Sequence, residues 1–187
     1  MIVFNTLAGT NYKNERFNLI LKTEGAELRP YADSVGLATI GIGYNLADKA
    51  VFDSVIAALL PAGLLSTAQI SSLRSAASVN YGSNNTSAVR AALDNLMATF
   101  HTSNAAIPAT FSFATTNQMI GVYDLIVPTY ESRVDKWLSG IPQSYERTAL
   151  VSLSYNGGLG TNLRTAIQNG DHAEAWYQIR YETNGGA

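Results

Sequence analysis

Three residues within positions 23–44, TEGAELRPYADSVGLATIGIGY, have the types and spacing to handle a proton and a water: Glu24, Asp33 and Thr39. Apolar Phe17, Ile20 and Leu21 recur at helical spacing in NERFNLILKTEG, and Gly25 stands where a C-terminal cap stops such a helix. Glu24 continues the same face, so its carboxylate is expected to leave an apolar stripe and to be desolvated. Desolvation favours the protonated carboxyl, and a glutamic acid still protonated near neutrality can donate to a leaving oxygen. Asp33 follows Pro30 in YADSVG, where hydroxyls and free backbone amides can keep a carboxylate ionised. Two carboxyls in split environments are what glycoside hydrolysis uses, one as acid on the bond oxygen, the other as base or stabiliser. Thr39 is out of phase with Ile40 and Ile42 and in phase with Gly41 and Gly43, so its hydroxyl is expected on an open face with room for a bound chain or a water. Singly these are a surface glutamate, a turn former and a strand threonine; the joint spacing E-x8-D-x5-T shifts the weight.

These groups need elements to hold them. Pro30 disfavours helix at its predecessor, DSVG is a turn, and LATIGIGY alternates, so residues 28–45 read as a small antiparallel hairpin or three-strand sheet. The remainder is helical in pattern. DKAVFDSVIAALL places Val51, Phe52, Val55, Ile56, Leu59 and Leu60 on one face and Pro61 ends it. Another helix starts near Thr67, capped by Ser66 or Thr67, and an amphipathic stretch carries Leu93, Leu96, Met97 and Phe100. From residue 115 helices follow closely, separated by Pro128, SGIP, NGGLG and NGD. The sum predicts an α+β fold, mainly α, with one small sheet near the N-terminus.

Bulk properties exclude several classes. A chain of 187 residues, 47% hydrophobic, can bury a core as one domain or as two lobes sharing a helix. Twelve basic and fourteen acidic side chains leave a formal charge of −2 with no basic run, which argues against a nucleic-acid partner and gives no support for a membrane-surface role. There is no cysteine, and His101 and His172 are the two histidines, so no metal site is expected. MIVFNTLAGTNYKNER lacks the order of a signal peptide, and the longest apolar run is broken by Pro61, so work outside the cytoplasm would need another means of delivery. Trp137, Trp176 and the ten tyrosines are expected to be mostly core, and His172, beside Asp171, a solvated or capping residue.

The stretch TEGAELRPYADSVGLATIGIGYNL closely resembles the active-site region of the phage-type, T4-lysozyme-like muramidases, a family that also supplies catalytic domains to bacteriocins and secreted antibacterial effectors. A second block, YESRVDKWLSGIPQSYERTALVSLSYNGGLGTNLRTAIQNGDHAEAWYQI, resembles the helical lobe of such endolysins, and LSTAQISSL resembles their helix between lobes. The resemblance implies a two-lobed lysozyme-like domain: a sheet-containing lobe at about 26–65, a helical lobe at 66–187, a helix at 14–24 at their junction, and an insertion at about 80–122. Glu24 would be the general acid, with Asp33 and Thr39 holding the attacking water. Tyr44 stands where the family tends to have histidine and would hydrogen-bond to or stack on sugar; Tyr155 and Asn156 would be further sugar contacts. The family's final arginine-rich helix has no counterpart before the chain stops at RYETNGGA, which suggests a trimmed domain.

The expected activity is then a peptidoglycan N-acetylmuramidase, inverting, with no organic cofactor and no metal. Its partners would be glycan strands and a cognate immunity or inhibitor protein, with no nucleic acid and no membrane insertion, the enzyme itself a monomer. It would act in the periplasm or at the wall of a target bacterium, delivered by a holin, a phage tail, bacteriocin uptake or a secretion system. The acidic balance, the insertion and the abrupt end lean toward a toxin or effector domain. The rivals are a lytic transglycosylase, which needs a helix-borne glutamate and no aspartate, and a non-catalytic wall-binding or inhibitor-binding domain.

Overall fold

The computed structural model describes residues 4–182. The chain is a mainly helical α+β protein with one three-stranded antiparallel sheet. In order, the elements are α1 (Gly9–Glu24), β1 (Glu27–Ala32), β2 (Ala38–Gly41), β3 (Tyr44–Asn45), α2 (Lys49–Leu59), α3 (Thr67–Ala77), α4 (Thr86–Ser103), α5 (Thr116–Trp137), α6 (Tyr145–Tyr155), α7 (Thr161–Asn169) and α8 (His172–Tyr177), which runs into a π-helical turn at Gln178–Glu182.

Contacts divide the chain into two compact units, one of Met1–Thr23 with Val127–Ala187 and one of Glu24–Ile126. The sheet-bearing unit therefore runs beyond residue 65, where the resemblance placed the end of its lobe. It takes in α3, α4 and the first half of α5, because the stretch read as an insertion supplies part of its core: Val89, Leu93, Met97, Phe100, Ile107, Phe111 and Phe113 are all buried.

That stretch also completes the sheet. β1 is an edge strand whose pairing with β2 is irregular between Glu27 and Tyr31, where Pro30 has no N–H to give. The carbonyls freed there are taken from outside the sheet. Phe113 N–H donates to Leu28 O at 2.9 Å and Arg90 Nε donates to Pro30 O at 2.9 Å. Arg29 pairs with Asp94 of α4, and Asp94 also accepts from Phe111 N at 2.9 Å. Beyond the irregularity Tyr31 faces Thr39 and Ala32 faces Ala38, while Thr39 faces Asn45 and Ile40 faces Tyr44. Opposed residues share a face, so Ala32, Ala38, Ile40 and Tyr44 line the apolar side, each at most 4% exposed. Capping follows the sequence closely: Asp48 accepts from Ala50 and Val51 N–H at the start of α2, and Ser66 forms a capping box with Gln69 on α3.

The other unit is built on a buried charge network. α1 begins at Gly9, five residues before the start expected from its apolar pattern, and buries Tyr12, Arg16 and Ile20 on one stripe. Tyr12 OH donates to Glu131 Oε1 at 2.5 Å and Arg16 donates to the same oxygen at 2.6 Å. Arg147 Nε donates to Glu131 Oε2 at 2.8 Å, with its NH1 on Asp135 at 2.7 Å. A carboxylate this little exposed is tolerable because two guanidiniums surround it. α5 runs unbroken through Pro128, where the pattern suggested a separation. The carbonyl that loses its partner there is that of Asp124, and Asp124 and Pro128 are both exposed, so water can satisfy it.

Candidate functional site

Glu24 is the last residue of α1, and Gly25 turns the chain at φ +75°, as its position suggested. The expected desolvation is not found. Ile20, one turn earlier, is the last buried residue of the helix, and Glu24 is exposed.

Asp33 opens the turn between β1 and β2, and its carboxylate folds back on it. Oδ1 accepts from Val35 N–H at 3.0 Å and from Leu37 N–H at 2.8 Å. The turn closes with Asp33 N–H on Leu37 O at 3.0 Å and Gly36 N–H on Asp33 O at 3.1 Å. The free amides expected around Asp33 are thus present. Thr39 lies opposite Tyr31 and donates from Oγ1 to Leu37 O at 3.3 Å. It is 4% exposed, so its hydroxyl does not stand on the open face expected; Tyr31 and Asn45 lie beside it in register. At the β2–β3 connection Gly41 takes φ +71°, and a Cβ there would meet the Tyr44 ring, with Phe113 next to it. An aromatic side chain fills the space beside Gly41.

Tyr44 is therefore a core residue and offers no ring face to a sugar. It is 1% exposed, donates from its hydroxyl to Met119 O at 2.6 Å, and meets Phe113 edge to face with centroids 6.4 Å apart. Burial pushes its phenol pKa well above the ordinary tyrosine value. Its parity with Ile40 puts it on the apolar side of the sheet, opposite to Thr39.

Two further residues on the polar side were not singled out by sequence. Tyr31 and Asn45 flank Thr39 in register across the three strands, and both are half-buried. The phenol of Tyr31 is raised above its ordinary pKa by burial first, then by the carboxylates of Glu24, Asp33 and Glu27. Two of the three candidate groups thus act on one side chain. The parity of Tyr31 with Asp33, two residues on, was the available signal.

Tyr155 and Asn156 belong to the other unit. Tyr155 ends α6, half-buried, its ring 4.9 Å from that of Tyr130, and Asn156 is the exposed C-cap. Trp137 lies under the Arg164 guanidinium at 4.1 Å. Trp176 is 56% exposed, and Tyr177 and Tyr181 beside it are also exposed, which corrects the core assignment for these aromatics. Asp171 caps α8 and His172 is exposed. Among the described residues no group of three or more His, Cys, Asp or Glu could hold a metal ion, and no helix is long and apolar enough to cross a membrane.

Comparison with family models, with curated proteins and with solved structures gave no match.

Proposed function

We propose that the protein is a peptidoglycan N-acetylmuramidase, cleaving the β-1,4 bond between N-acetylmuramic acid and N-acetylglucosamine. The observation that carries this reading is geometric: Asp33 on the β1–β2 turn and Thr39 on β2 are tied to one residue, Leu37, and Glu24 ends the helix that leads into β1. It adds to the resemblance of residues 23–46 to the phage-type muramidases. Glu24 gives its proton to the glycosidic oxygen as the bond to the muramic acid anomeric carbon breaks. A water attacks that carbon from the opposite face and passes its proton to Asp33, whose Oδ2 is not engaged by the turn amides. Thr39 orients that water, its hydroxyl keeping lone pairs beside the bond it donates to Leu37 O. Attack from the far face inverts the anomeric centre, which requires the two carboxyls to stand roughly 6.5 to 9.5 Å apart. Because Glu24 is exposed, the low-dielectric setting that a glutamic acid needs is supplied by the bound glycan. An immunity or inhibitor protein covering that exposed carboxyl would silence the enzyme. The setting proposed is the wall of a target bacterium, reached by a holin, a phage tail, bacteriocin uptake or a secretion system.

One observation favours a second reading. Asp33 Oδ1 is spent on two turn amides, as in an aspartate that only shapes its turn, and a lytic transglycosylase would need Glu24 alone. Mass spectrometry of fragments released from bacterial sacculi, with and without borohydride reduction, separates the two. Reducible N-acetylmuramic acid ends support the muramidase, anhydro ends the transglycosylase, and no fragments at all would remove both.

A further inference from the structure

The turn that carries Asp33 is held from outside the sheet by the loop at residues 80–84, between α3 and α4. Three of its carbonyls accept from that loop. Asn84 N–H donates to Asp33 O at 3.2 Å, Asn80 Nδ2 to Val35 O at 2.9 Å, and Tyr81 N–H to Gly36 O at 2.9 Å. The fit leaves no slack: Gly36 takes φ +88°, and a Cβ there would collide with the Asn80 side chain and lie 2.8 Å from the Gly82 backbone. Asn80 is itself fixed, its Oδ1 accepting from Gly82 N–H at 2.9 Å. The loop is anchored at both ends. Tyr81 OH donates to Ala76 O of α3 at 2.7 Å, and Thr86, the first residue of α4, accepts from Ala32 N–H of β1 at 3.3 Å.

We infer that Asn80 is a positioning residue for the candidate site: by holding the Val35 carbonyl it fixes the Val35–Gly36 peptide, and with it the turn whose Val35 and Leu37 amides aim the Asp33 carboxylate. The catalytic part of this inference rests on the muramidase reading; the geometric part does not. Asn80 lies far from Asp33 in sequence, and its side-chain hydrogen bonds go to Val35 and Gly82. Its side chain is the only one in the loop that bonds to the turn, the other two bonds coming from backbone N–H groups. Substituting Asn80 therefore loosens the turn and leaves the chain's course intact.

The test follows the Val35 and Leu37 amide resonances by NMR from about pH 2.5 to 7. An amide that donates to a carboxylate reports its protonation. In the wild type both should follow the titration of Asp33. In Asn80→Ala the amplitude at both should fall by about half or more, while Ser83→Ala, in the same loop without a bond to the turn, should match the wild type. Asn80→Ser retains a hydroxyl that can accept from Gly82 N–H and lacks the reach to Val35, so it should repeat the loss if the alanine variant folds poorly. Unchanged amplitudes in both Asn80 variants would overturn the inference. On sacculi, Asn80→Ala should lower kcat about tenfold or more with KM unchanged, since small misplacements of a catalytic group are costly. Equal kcat with reduced amide amplitudes would overturn the catalytic part. A wild type that releases no fragments would defeat the muramidase reading, while the amide titration would still decide the role of Asn80.

Discussion

Asp33 and Thr39 are joined through a single residue. Leu37 N–H donates to the Asp33 carboxylate at 2.8 Å, and Leu37 O accepts from the Thr39 hydroxyl at 3.3 Å. The two groups proposed to hold one water are thereby tied to the same backbone unit, at the point where the turn enters β2. A shift of Leu37 moves both together.

The Asp33 side chain serves the turn and, in the proposed mechanism, the water, and two substitutions separate these roles. Asp33→Asn keeps an oxygen that can accept from Val35 and Leu37, so the turn should survive while hydrolysis falls by about 10²-fold or more. Asp33→Ala leaves both amides without their acceptor and should also cost about 1 to 2 kcal/mol of stability. Urea unfolding and sacculus hydrolysis read the two effects separately. Near-full hydrolysis by Asp33→Asn, with anhydro products, would transfer the assignment to a transglycosylase.

Glu24→Gln should fold as the wild type does, because the side chain is exposed, and should lose hydrolysis by roughly 10²- to 10⁴-fold. The same variant removes a negative charge that helps hold the Tyr31 proton, so the Tyr31 phenol should titrate at lower pH than in the wild type. Tyrosine ring carbon NMR measures this without substrate. Wild-type lysis by Glu24→Gln would remove Glu24 from the acid role; an unmoved Tyr31 titration would mean that the Glu24 charge does not reach the Tyr31 phenol.

Alkaline pH should destabilise the protein. Burial raises the phenol pKa of Tyr44 and of Tyr12, with Glu131 adding to the effect on Tyr12. The folded form therefore keeps protons that the unfolded chain loses near pH 10. The stability due to these phenols is fully present below about pH 10 and drains away above it, at up to about 1.4 kcal/mol per pH unit for each tyrosine. Tyr44→Phe gives up the bond to Met119 O, costing about 1 kcal/mol at neutrality, and should decline less steeply between pH 10 and 11.5. Unfolding midpoints across that range check it, and parallel curves would rule out the Tyr44 phenol as a source.

Glu131→Gln should be the most damaging of these changes to folding. It leaves Arg16 and most of the Arg147 guanidinium facing a neutral amide in a little-exposed site, at a cost of about 3 kcal/mol. Chemical denaturation measures this directly, and a loss below about 0.5 kcal/mol would mean that water reaches the network.

Much of the architecture could be read locally. Gly25 ends α1, Asp48 and Ser66 start α2 and α3, and the alternation in LATIGIGY becomes β2 and the turn into β3. Caps, glycine turns and periodic faces act over a few residues, so their signals stay adjacent in the chain. The positions of Glu24, Asp33 and Thr39 on a helix end, a turn and a strand were legible for the same reason.

What surrounds those residues was decided by parts of the chain distant in sequence. Tyr44 and Phe113 close the space beside Gly41, the loop at 80–84 clasps the Asp33 turn, and α4 with Phe113 covers the open edge of β1. Nothing in LATIGIGY says whether its glycines face a cleft or an aromatic ring, and nothing in the last turn of α1 says that cover ends at Ile20. The sequence by itself determined which backbone element carries each candidate group, because capping and turn formation are short-range. Only the tertiary structure decided which groups are exposed and which are packed away, because burial depends on whatever the rest of the chain brings against them.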